Sequence, residues 1–233
     1  MKNNARVLVE TRVNKAGHNT DNLLKGRGAQ LNTKNRYLAH QFVTEHVEGI
    51  DEEFQLDHKT QYFLEYPKKM VNKVTSPDIP GDYSMNPYQG CEHGCIYCYA
   101  RNTHQYWGFS AGHDFESKII VKPDAAKILE SEFRKKSWKV SSIMFSGNTD
   151  CYQPAERKWK ITRSMLEVCL KFRNPVGLIT KNQLILRDLD ILKEMGARIS
   201  QSQTGITVEK SNLTAIKTDM SNCIDLLPTV AVL

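Results

Sequence analysis

From about residue 82 onward, short apolar runs alternate with longer stretches in which apolar residues recur every three or four positions. Asp82 to Met85, Val140 to Phe145 and Val176 to Thr180 read as core strands, and Ile119-Ile120-Val121 as a further apolar run. A helix is expected to open at Pro123, a favoured first-turn residue, with Ala126, Ile128, Leu129 and Phe133 as its apolar residues. Ile161 to Phe172 gives a second helix, and Leu184 to Met195 a third that ends at Gly196 in the left-handed conformation. Repeated strand–helix units imply an α/β fold with a parallel sheet and right-handed crossovers. Sites in such folds lie at the C-terminal ends of the strands.

The first 80 residues lack this alternation. Residues 1 to 35 are rich in Asn, Lys and Gly, with a turn at Gly26-Arg27-Gly28, and little regular structure is expected there. Tyr37 to Val47 reads as a short helix and Glu48 to Asp57 as an acidic run. Residues 58 to 73 hold strand-like aromatics stopped by Pro67, and Ser76 to Gly81 forms a rigid turn. We therefore expect an N-terminal extension over 1–80, basic then acidic and partly disordered, and a core domain over 81–233. The formal net charge of +6 sits wholly in residues 1 to 40, where eight Lys/Arg face two acids. Such an arm can contact nucleic-acid phosphates or remain a solvated leader. The N-terminus lacks the apolar run of a signal peptide, and no stretch is long and apolar enough to span a membrane, so a reduced cytoplasm and no membrane partner are expected.

Chemistry concentrates in Asn86 to Tyr99, where Cys91, Cys95 and Cys98 place three of the six cysteines within eight residues. Gly90 and Gly94 let the backbone turn tightly around whatever the thiolates hold. Three thiolates can bind three irons of a 4Fe-4S cubane and leave the fourth open to a substrate or cofactor, unlike a fully ligated electron-transfer cluster. A structural zinc site completed by His93 or His104 competes, although structural zinc usually draws on two ligand pairs separated by a longer span. A disulfide scaffold does not suit this cysteine usage.

The loop resembles the cluster motif of the radical S-adenosylmethionine (SAM) enzymes, with Tyr97 in the usual aromatic position before the third cysteine. The segments Pro77 to Pro80, Asn86 to Tyr88, Asp114 to Glu116, Thr149 to Arg157, Thr180 to Asn182 and Arg187 to Asp190 look like a subgroup related to spore photoproduct lyase, over roughly residues 25 to 196. The resemblance implies a partial (βα)6 barrel, of which this chain would hold about the first half. It implies a cluster on Cys91, Cys95 and Cys98 whose open iron chelates SAM. It places Ser146, Asn148, Thr149 and Asp150 near the SAM amino group and Lys181 near its carboxylate. The implied chemistry is one-electron reduction by a flavodoxin or ferredoxin, cleavage of SAM to a 5′-deoxyadenosyl radical and hydrogen abstraction, as lyase or repair chemistry on nucleic acid. The hydrogen-donor cysteine of the lyase matches Gly147, with Cys151 four residues later as the candidate here; Cys169 reads as core.

After Gly196 the alternation is lost, and Val230 to Leu233 is an apolar end with nothing after it. A truncated or frame-shifted product is expected from this, with a half-barrel exposing an edge strand. The alternative function is then a non-catalytic iron–sulfur or zinc protein.

Overall fold

The structure, a computed structural model, describes residue 24 and residues 26–38, 59–76, 82–202 and 205–209. Most of the helix expected at 37–47, the acidic run, the turn at 77–81 where the domain boundary was placed and the apolar end at 230–233 lie outside the described residues.

The described chain is mixed α/β. Its strands are β1 (Gln61–Leu64), β2 (Asn72–Lys73), β3 (Tyr83–Met85), β4 (Tyr88–Gln89), β5 (Lys118–Val121), β6 (Ile143–Phe145), β7 (Val176–Leu178), β8 (Arg198–Gln201) and β9 (Ile206–Glu209). Its α-helices are α1 (Asp114–Ser117), α2 (Ala125–Phe133), α3 (Glu156–Trp159), α4 (Ile161–Phe172) and α5 (Leu189–Glu194). The three expected core strands lie side by side and parallel in the order β3-β6-β7, with β2 antiparallel on the β3 edge. A second sheet runs β1-β5-β4, parallel then antiparallel, and β8 and β9 form a separate antiparallel ribbon. Among the described residues no sheet closes on itself. The strand after Gly196 exists, but its partner is β9 and not β7.

Strand β6 is buried at all three positions, as a strand covered on both faces requires. It begins three residues later than the apolar run. Val140 is 64% exposed, and the Ser141 carbonyl already accepts from the Asn174 side chain at 2.9 Å. The principal core joins Met85, Ile143 and Phe145 to Leu129, Met165 and Leu166 of α2 and α4. Phe133, Trp138 and Phe172 close its outer edge with ring centroids 5.1 and 5.5 Å apart.

Helix α4 keeps the expected bounds, burying Ile161, Thr162, Met165, Leu166, Val168 and Cys169. Its N-terminus is capped from a distance, since the Glu156 carboxylate accepts from the Thr162 and Arg163 amides at 3.0 and 3.3 Å. The helix expected at 184–195 divides instead into a 3-10 segment, Gln183–Asp188, and α5. The tighter turn sets Arg187 beside the wholly buried Asp188 and Glu156, at 2.7 and 2.8 Å. Gly196 does end α5: at φ +104° it donates to Lys193 O while Ala197 donates to Leu192 O, the paired bonds of a Schellman cap.

Candidate functional site

The three cysteines occupy the loop that leaves β4. Gly90 (φ +81°) and Gly94 (φ +65°) supply left-handed turns that side chains resist, and the Cys98 amide donates to Cys95 O at 3.3 Å. Cys91 is anchored by its amide to Phe115 O at 2.9 Å. All three are free thiols, and Cys91 and Cys98 pack together with Ala100 and Phe115 in a small second core. Burial pushes the Cys91 thiol up to about 12 and raises that of Cys98, so metal cations would have to supply the charge that holds them as thiolates.

The loop after β6 grips this one. Ser146 takes a positive φ of 120°, and its buried hydroxyl donates to Ile179 O and accepts from the Cys151 amide, at 3.0 and 3.3 Å. The Thr149 hydroxyl and the Gln153 amide donate to Gly90 O at 2.6 and 2.9 Å, while Gln153 Oε1 accepts from the Glu92 amide at 3.1 Å. Asp150 is spent on the same seam. Its oxygens accept from the Tyr152 amide, the Thr180 hydroxyl and the Lys181 amide at 2.7–2.8 Å, and His93 Nε2 lies 3.9 Å away.

Of the five residues expected near SAM, Ser146 and Thr149 are therefore buried and turned to the scaffold, and Asp150 is fully engaged. Asn148 and Lys181 are exposed. Lys181 follows β7 and brings its ammonium to 3.6 Å from Cys95 Sγ, where it also donates to the Tyr97 hydroxyl. That hydroxyl, with Cys95, holds the lysine above its ordinary value. Cys151 lies elsewhere, wholly buried in the principal core with its thiol pushed well up by desolvation.

The sequence reading missed what holds the far side of the cysteine loop. Residues 26–36 run along it as a strap. The buried Glu116 carboxylate accepts from the Gly28 and Ala29 amides at 3.0 and 2.9 Å and pairs with Arg101, while Arg27 donates to Glu116 O at 2.5 Å. Asn32 and Asp114 exchange two bonds of 2.9 Å. The strap lies so close that a Cβ on Gly28 would stand 2.0 Å from Gly94 O, and one on Gly112 would stand 2.0 Å from Leu31 O. An acid enclosed by Phe115 and Ser117 was the available signal, because a buried carboxylate needs donors from somewhere.

Among the described residues, no group of three or more His, Cys, Asp or Glu side chains is gathered to hold one metal ion. The donor set, three free thiols on a loop turned by two glycines, fits a cluster.

The radical SAM superfamily model matches residues 85–220. The chain is 35% identical over 136 residues to uncharacterized protein Rv2578c of Mycobacterium tuberculosis, covering 58% of this chain and 40% of that one. It is 31% identical over 142 residues to uncharacterized protein MJ0683 of Methanocaldococcus jannaschii, covering 60% and 49%. With uncharacterized protein ORF301 of Acidianus two-tailed virus it shares 25% identity over 154 residues, covering 62% and 50%. The chain thus spans about half the length of the curated relatives it matches. No solved structure matches it. Among the described residues no helix is long and apolar enough to cross a membrane.

Proposed function

This chain belongs to the radical SAM superfamily, and we propose that it is an iron–sulfur enzyme which cleaves SAM reductively to act on nucleic acid by lyase or repair chemistry. Bound at this site, cluster and SAM would supply one-electron cleavage to methionine and a 5′-deoxyadenosyl radical. Cys91, Cys95 and Cys98 would hold the cluster. Lys181 would present a cation to the SAM carboxylate, a charge-assisted pairing, and Asn148 would face the same side. Ser146, Thr149 and Asp150 would act by fixing the backbone between the two loops, which keeps the site stiff against water and misorientation. The full fold in this reading is a partial (βα) barrel whose first strands are β3, β6 and β7, within a core domain that starts near residue 81. SAM and a flavodoxin- or ferredoxin-type reductant are the partners. A hydrogen-donor role for Cys151 needs a path to its buried thiol, and its burial supports packing instead.

The observation that carries the reading is the approach of Lys181 Nζ to 3.6 Å from Cys95 Sγ, which joins the cysteine loop to the end of β7. Electron paramagnetic resonance of anaerobically reconstituted, dithionite-reduced protein tests it. A 4Fe-4S signal that shifts on adding SAM is expected, and it disappears in Cys91→Ala, Cys95→Ala and Cys98→Ala. A cluster signal indifferent to SAM would favour electron transfer alone, and stoichiometric zinc with no cluster would overturn the reading.

A further inference from the structure

Between the two larger sheets lies a cavity of about 250 Å³, room for roughly eight waters at ~30 Å3 each, whose walls include Glu65, Asn86, Tyr106, Trp107, Lys122 and Asn148. None of its lining residues is a cysteine of the loop, Asp150 or Lys181. Lys122, at the end of β5, is largely enclosed: its side chain keeps 14% of its accessible surface and that of Glu65 keeps 24%. The two approach to 3.8 Å, an ion pair too long for a hydrogen bond. Among the described residues, Glu65 Oε2 is buried and accepts no hydrogen bond, while the ammonium makes a single long one of 3.3 Å to Asn86 O. An ammonium has three donors. Acceptor and donor capacity that no protein group among the described residues takes up thus stand side by side in one partly open pocket, available to a ligand that can serve both.

The wall beside them is aromatic. Lys122 Nζ faces the Trp107 ring at 6.0 Å from its centroid, and Trp107 and Tyr106 are 40% and 72% exposed. Tyr106 is itself stacked on Tyr37, with ring centroids 4.6 Å apart, so this wall is already held in place. A flat ring presented to such a wall gains stacking without needing a particular sequence of polar contacts.

We propose that this cavity binds a nucleobase other than the adenine of SAM, stacked on Trp107, with an N–H of its edge donating to Glu65 and the neighbouring ring carbonyl accepting from Lys122. The proposal deepens the nucleic-acid reading above and rests on it for the choice of a nucleobase among flat heterocycles. Asn148, which the cavity shares with the candidate SAM site, puts the base next to that site.

Isothermal titration of the full 233-residue chain with inosine and with purine riboside tests it. The two nucleosides stack alike, but only inosine carries an N–H beside its acceptor. Inosine is expected to bind at least tenfold more tightly, and the advantage is expected to vanish in Glu65→Ala and Lys122→Met, with Trp107→Ala weakening both ligands. S-adenosylhomocysteine should leave inosine binding unchanged. Equal binding of the two nucleosides, binding of neither up to millimolar concentration, or displacement of inosine by S-adenosylhomocysteine would each overturn the proposal. The wild-type comparison needs no variant to fold. Because heat of nucleoside binding is read separately from the cluster's spectrum, a failure here is distinct from a failure of the SAM reading.

Discussion

Lys181 reaches the cysteine loop across the seam made by Asp150, and its ammonium rests against Tyr97 and Cys95. Charge-assisted hydrogen bonds contribute about 1.5–3 kcal/mol, so Lys181→Met should weaken SAM binding by about 10- to 100-fold while the iron content stays unchanged. Titrating the SAM-dependent change in the reduced cluster's resonance signal measures this, and an unaltered affinity would leave Lys181 with Tyr97 as its functional partner. A second prediction comes from His104, wholly buried between Phe109 and Phe115, with neither ring nitrogen in a well-formed hydrogen bond among the described residues. Desolvation depresses its pKa to about 4 from the ordinary 6.5. The unfolded chain therefore takes up a proton below about 6.5 that the folded chain refuses until about 4. Stability should fall as the pH drops through this window, by about 3 kcal/mol in all. Urea midpoints against pH should show the slope, and His104→Phe should flatten it.

The strap and the cysteine loop stand or fall together. Replacing Glu116 with Ala strips acceptors from two backbone amides and leaves the half-buried Arg101 guanidinium with only the Cys95 and Gly112 carbonyls, a loss of about 3 kcal/mol. Gly28→Ala drives a methyl into Gly94 O and should loosen the same contact without touching any charge. Both variants should speed hydrogen exchange at the Cys91 and Cys98 amides while α2 and α4 stay protected; equal protection everywhere would mean that the strap only decorates the surface. These contacts show what the sequence displayed and what it hid. The run of apolar residues at 161–172 and the Gly196 stop were legible because local periodicity and a left-handed cap are local facts. The division at Asp188 was not, since it answers to Glu156, Arg163 and Tyr152 on other elements. The cysteine loop was legible as a candidate cluster site from residue type and spacing alone. The bracket of Thr149, Asp150 and Gln153 around it depends on a pairing across about 60 residues, which no spacing in the chain encodes.

Across the described residues the two larger sheets remain open, with β1 and β7 each paired on one side. Strand β1 is the more exposed: Phe63 and Leu64 retain 39% and 50% of their surface. An apolar, unpaired edge invites another chain. The weight-average mass from light scattering of the purified protein should therefore rise with concentration, and Leu64→Lys should suppress the rise without lowering the melting temperature by more than a degree or two. Unchanged scattering in that variant would place the association elsewhere. The strap also sets a timetable. Gly28 emerges from the ribosome 88 residues before the carboxylate that receives its amide, a delay of roughly 4 to 18 seconds at ordinary elongation rates. Cys91, Cys95 and Cys98 emerge inside that interval, before the strap has anything to fasten to. In the proposed reading, iron and sulfide that arrive within the 18 residues of synthesis between Cys98 and Glu116 (116 − 98) would meet a loop still open on its outer side. Cofactor delivery during synthesis should outpace delivery to the finished protein.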